Sequence, residues 1–175
     1  MMASRPSCPL TEPSQSELDW LLKAGVEIKA LIDPEPMRVA AGLRAADGLF
    51  EPDADSPRWL AFDEVTTDDI VFWQPRLGMM ACWTGRTFAL GQDIIDNAAT
   101  YSFDCALNIF ADPLEWLRAR RDGIVVLDWS RAFDRLRDTP RIAIAESLLH
   151  TYQRVMKPPR MPELFVIPDR RRAAA

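Results

Sequence analysis

The chain has 175 residues, 48% of them hydrophobic and 27% charged, with a formal net charge of −5. This is the balance of a soluble globular protein with one real core, and its acidity argues against non-specific nucleic-acid binding by the whole surface. No apolar run approaches the roughly 18 residues that span a bilayer. The opening "MMASRPSCPLTEPSQS" lacks the apolar region of a signal peptide.

Residues 1–16, rich in Ser and Pro, are expected to be disordered. "ELDWLLKAG" follows Ser16 and predicts a short capped helix ending at Gly25. In "VEIKALIDPEP", Val26, Ile28 and Ala30 alternate with charged residues, which favours a strand. Residues 26–58 otherwise give no clear pattern, and 51–57 read as an acidic loop. "DIVFWQ" (69–74), "MMACW" (79–83) and "TFALG" (87–91) predict an antiparallel meander, with Gly78 and Gly85 in the turns.

The rhythm then changes. "CALNIF" (105–110), "IVVLD" (124–128), "RIAIAE" (141–146) and "ELFVI" (163–167) are short strand candidates, and helical patterns lie between them. In the first of these helices Asp112 is an N-cap, Pro113 opens the helix, and Arg118, Arg120 and Arg121 crowd its end before Gly123. Strands alternating with helices predict a parallel sheet. The expected fold class is therefore α/β, or α+β over the whole chain. A helix and meander (17–104) would pack as one unit with a mostly parallel βαβαβαβ region (105–169), ahead of a basic tail (170–175).

Charge follows the same division. Residues 1–104 hold 8 Lys and Arg against 17 Asp and Glu, and residues 105–175 hold 13 against 9. Attraction between the halves accounts for this, and a local anionic partner is the alternative. Arg118, Arg120, Arg121, Arg170, Arg171 and Arg172 are the candidates for contact with nucleic acid or a partner.

In an open parallel sheet, ligands gather at the carboxyl ends of the strands. Asp112, Asp128 and Glu146 fall there and would suit Mg²⁺, which takes oxygen ligands. Strand–helix junctions also select acids as caps, and that reading is the stronger for Asp128. His150 is the one histidine, and no phosphate-binding glycine loop is present. Cys8, Cys82 and Cys105 suggest neither a disulfide framework nor zinc, which fits a reducing cytoplasm.

The strand–helix layout of 105–167 resembles a Toprim domain, the catalytic module of primases, topoisomerases and related nucleases. That resemblance implies a four-stranded parallel sheet and Mg²⁺-binding acids. In "IFADPLEWL", Ala111 or Asp112 stands where the family has its Glu. In "RIAIAESLL", Glu146 could stand for the first Asp of the D-x-D, but Leu148 replaces the second. The copy is thus degenerate, which implies an inactive one. "DPLEWLRARRDGIVVLDW" with the meander is also similar to uncharacterised bacterial proteins encoded beside replication or conjugation genes on mobile elements. That second resemblance implies an accessory role in DNA metabolism.

The expected function is a non-catalytic, cytoplasmic accessory or binding protein without a cofactor. It would bind a protein partner, in mobile-element DNA replication or transfer. The runner-up is a Mg²⁺-dependent nuclease or phosphotransferase using Asp112, Asp128 and Glu146. A third reading is a structural homo-oligomer pairing through an edge strand of the meander.

Overall fold

The computed structural model describes residues 8–157. Ordered pairing begins ahead of the first helix, because Thr11 and Val39 exchange backbone hydrogen bonds at 2.8 and 2.9 Å. Helix α1 (Gln15–Lys23) is capped by Ser14 rather than Ser16. Ser14 and Glu17 form a reciprocal capping box, and Leu21 is buried. The strand expected at Val26–Ala30 is instead a short helix, α2 (Ile28–Ile32). Its apolar residues do not alternate in burial: Ala30 and Leu31 face the core, while Ile28 and Ile32 are exposed.

A five-stranded antiparallel sheet follows, in the order β2–β1–β3–β4–β5. Its strands are β1 (Arg38–Arg44), β2 (Phe50–Pro52), β3 (Arg58–Glu64), β4 (Asp69–Gln74) and β5 (Met79–Cys82). Apolar side chains alternate between its two faces, and both faces are covered. Ala40, Trp59, Ala61, Ile70, Phe72 and Ala81 pack with Phe50 on one side. Val39, Leu60, Phe62, Val71, Trp73 and Cys82 meet Leu21, Leu31, Trp116 and Val125 on the other. Small residues let the first face curl inward: at Gly42 a Cβ would lie 2.3 Å from the Phe50 ring. The curl brings the two sheet edges together at one point, where the Cys82 amide donates to the Gly48 carbonyl at 3.3 Å.

Two expectations fail here. The run 87–91 does not extend the meander. Its strand, β6 (Ala89–Leu90), pairs antiparallel with β8 (Val125–Val126). The cause is Asp69, whose carboxylate takes the Thr84, Arg86 and Thr87 amides and turns the chain away from the sheet. The expected parallel sheet is also not formed among the described residues. There the parallel strand pair of the second half is β7 (Leu107–Ile109) with β9 (Ile142–Ile144), extended by a single bridge from Ile109 to Ile124. At two or three residues each, the strands are too short to build a parallel layer. The intervening α3 (Pro113–Arg118), α4 (Ala132–Leu136) and α5 (Leu149–Val155) are correspondingly brief. The molecule is therefore mostly β, a curled antiparallel half-barrel with small helices, rather than a Toprim-like α/β layer.

The expected strand at 163–167 and the Arg170–Arg172 tail lie outside the described residues. No helix among the described residues is long and apolar enough to cross a membrane. The two halves of the chain share a core, since Trp116, Leu117 and Val125 pack with Leu21 and Phe62.

Candidate functional site

The three predicted acids form no shared site, and two of them are engaged by nearby backbone. Asp112 accepts from the Leu114 and Glu115 amides at 2.8 and 3.1 Å and caps α3. Asp128 accepts from the Ser130 amide at 3.0 Å and its hydroxyl at 2.6 Å. Glu146 is exposed in a 3₁₀ turn before α5. Among the described residues, no three His, Cys, Asp or Glu side chains come together as a metal site. His150 is exposed on α5.

Arg118 at the end of α3, and Arg120 and Arg121 just after it, turn toward the protein. Arg118 donates to the Ala24 carbonyl at 2.6 Å and to Glu115 at 2.5 Å, and Arg120 donates to Glu27 at 2.7 Å. Arg121 donates to the Ala30 and Glu35 carbonyls at 2.7 and 3.1 Å, with its guanidinium over Phe62 and Trp116. These contacts join the basic half to the acidic half, as the charge division suggested. Positive φ at Arg120 and Arg121 (56° and 62°) aims both side chains back at α2.

Sequence reasoning passed over a buried polar knot between β3 and β4. Asp69 takes four backbone amides, those of Ile70, Thr84, Arg86 and Thr87. Burial works to raise its pKa, and the backbone donors outweigh this and hold the carboxyl below its ordinary value. Glu64, register partner of Asp69, accepts from the Gly91 amide at 2.5 Å. Burial dominates there and pushes its pKa up to about 8, helped by Asp93 and Asp69. Gly91 must be glycine: its φ is 76°, and a Cβ would lie 2.7 Å from the Gly123 carbonyl. Gln92 accepts from Phe88 at 2.9 Å and completes the knot. Every one of these groups holds backbone in place.

The accessible feature is the edge of the sheet at β5. A groove of about 280 Å³ runs beside it, lined by Arg44, Gly78, Met79, Met80, Val126 and Leu127. The Cys82 amide points out of the sheet toward Gly48, and the Trp83 amide points in toward Ile70 at 2.8 Å. Strand residues alternate in this direction. Met80, two before Cys82, therefore presents its backbone N–H and C=O outward, beside the groove. Trp20, 43% exposed, stands 6.2 Å from Trp73, the register partner of Met80. Arg44, exposed to solvent, is the charged residue of the groove lining. The "MMACW" run marks this strand in the sequence, but nothing local shows which of its sides stays open. No family model, curated protein or solved structure matches this chain.

Proposed function

We propose that the protein is a non-catalytic binding module. It takes an extended segment of a partner protein along the β5 edge. The outward Met80 backbone pair beside an apolar groove carries this reading, because an open strand edge pairs with another chain through main-chain hydrogen bonds. Adjustable methionine side chains suit varied apolar residues. Arg44 favours an acidic residue in the ligand. The engagement of Arg118, Arg120 and Arg121 within the fold supports a protein partner over bare DNA. A partner from mobile-element replication or transfer is the setting that the sequence resemblance supports.

The probe is a displayed library of linear peptides, selected against the full chain and followed by calorimetry. Selected peptides should alternate apolar residues and carry Asp or Glu. Met80→Pro removes the outward donor at an edge position that tolerates proline. It should weaken binding at least tenfold while the melting temperature holds. Equal binding to Met80→Pro and wild type would overturn the reading. A wild-type dimer in solution that Met80→Pro dissolves would favour a second copy of the chain as the occupant.

A further inference from the structure

Phe103 is completely exposed, whereas the next most exposed large hydrophobic residue, Val65, keeps some cover at 77%. Single exposed apolar residues are ordinary, and what sets this one apart is how it is held. Phe103 and Asp104 both have positive φ, 53° and 64°, in a left-handed region that bulky residues rarely adopt. Three hydrogen bonds from one guanidinium fix that conformation. Arg141 donates to the Tyr101 carbonyl at 2.7 Å, to Asp104 at 2.6 Å and to the Cys105 carbonyl at 3.0 Å.

The approach to the loop is fixed as well. Asn97 caps the Ala99 amide at 3.0 Å, Thr100 bonds the Ile94 carbonyl at 2.8 Å, and Tyr101 bonds the Ile95 carbonyl at 2.7 Å. Tyr101 packs against the apolar core formed by Phe88, Ile95, Leu107 and Ile109. The chain thus covers one aromatic ring in part and, two residues later, holds another in water. A relaxed loop could fold Phe103 down, and this bracing prevents it.

We propose that Phe103 anchors a second protein contact by entering an apolar pocket that lysine or arginine side chains border on the partner. Charge identifies the rim. Residues 87–117 contain no Lys or Arg, while Asp93, Asp96 and Asp104 lie close to Phe103 in sequence. The cleft at the foot of the loop, lined by Ile95 and Asp96, adds Asp134 and Asp138. Asp104 is paired with Arg141 and Asp138 with Arg137, and the cleft's own Arg135 lies over the Phe88 ring, which leaves Asp93, Asp96 and Asp134 as the acids that set the charge here. An exposed aromatic anchor on a segment that carries acids and no bases fits an apolar pocket with a basic border. This contact is separate from the β5 groove and does not depend on it.

The test places the photoreactive residue p-benzoylphenylalanine at position 103 of the full chain, and at position 65 as control, in cells that make the protein. Crosslinked peptides are mapped by mass spectrometry. One partner should be captured from position 103 and not from 65, at a site of apolar residues flanked by Lys or Arg. With that partner purified, Phe103→Ala should weaken binding about thirtyfold, the loss of a buried anchor, and Phe103→Trp should stay within about threefold. Phe103→Gly should keep or raise the melting temperature, because it relieves the backbone and removes no internal contact. Identical products from both positions, no product, crosslinks to a second copy or to nucleic acid, or undiminished binding by Phe103→Ala would each overturn the proposal.

Discussion

Across residues 38–82 the backbone hydrogen bonds run from strand to strand, and side chains need only pack. Across 105–157 the longest strand has three residues, and side chains close the backbone groups instead. Asp112 and Asp128 take amides, while Arg121 and Arg141 take carbonyls. The sheet is a continuous ladder under apolar cover. The second region is a set of short pieces strapped to it. A substitution that removes packing should therefore act mainly in the first region, and one that removes a polar strap should act mainly in the second.

The largest effect is expected from Phe72→Ala. Phe72 is fully buried in the all-buried strand β4 and stacks on Phe50 at 3.8 Å between ring centroids. Truncation should cost about 4 kcal/mol, read as a lower denaturation midpoint by tryptophan fluorescence. Because Trp116 and Val125 share a core with β3 and β4, both regions should unfold in one transition. Separate transitions would break the comparison by showing that the second region stands alone.

Glu64 sharpens it through pH. Its pKa rises from an ordinary 4.5 to about 8 in the fold. The folded chain therefore holds the proton more tightly than the unfolded chain does. Stability from this group is complete below pH 4.5 and declines as pH rises toward 8, by a few kcal/mol in all. Glu64→Gln keeps an acceptor for the Gly91 amide and should remove most of that slope. Denaturant titrations between pH 5 and 8 measure both curves, and parallel slopes would refute the assignment.

The same division explains what could be read from the residues. Helix caps and turns depend on near neighbours, so Asp112 and Gly78 are placed as the pattern indicated, whereas Gly85 turns the chain away from the sheet instead of into a third meander strand. The β4–β5 hairpin is likewise local. Strand partners are not. The apolar runs at 105–110 and 141–146 do pair in parallel, but nothing in them shows that their pairing stops at three residues. The strand β3 gives no clear local signal because "RWLAFDE" mixes apolar and acidic residues. Its acids serve Arg38 (from Asp63) and the Gly91 amide (from Glu64), partners distant in the chain. The β5 groove and the braced Phe103 depend on curvature and on Arg141, neither of which is visible in a local window.

Arg121→Ala tests a strap directly. It removes two hydrogen bonds to Ala30 and Glu35 carbonyls and a cation held over two rings. The expected loss is about 2 kcal/mol, with faster amide exchange in α2 and the segment that follows it. Arg121→Lys should not restore protection, since an ammonium lacks the planar fork that reaches both carbonyls while covering the rings. Full rescue by lysine would make the contact one of charge alone.

The smallest effect belongs to the caps. Asp112→Ala and Asp128→Ala should each cost about 1 kcal/mol, the ordinary loss for removing an N-cap. Asp112→Asn and Asp128→Asn should cost less, because the amide oxygen still accepts from the same backbone donors. Magnesium discriminates between capping and metal binding. A capping carboxylate gives the same melting temperature with and without the ion, whereas a metal site gains stability from ion binding to the folded state. If 10 mM Mg²⁺, about the upper range for a weak carboxylate site, raised the wild-type midpoint and left the two asparagine variants unmoved, those aspartates would be ligands as well as caps. With no such shift, the second region carries its acids for the same reason as its arginines, to close backbone groups that its short strands leave open.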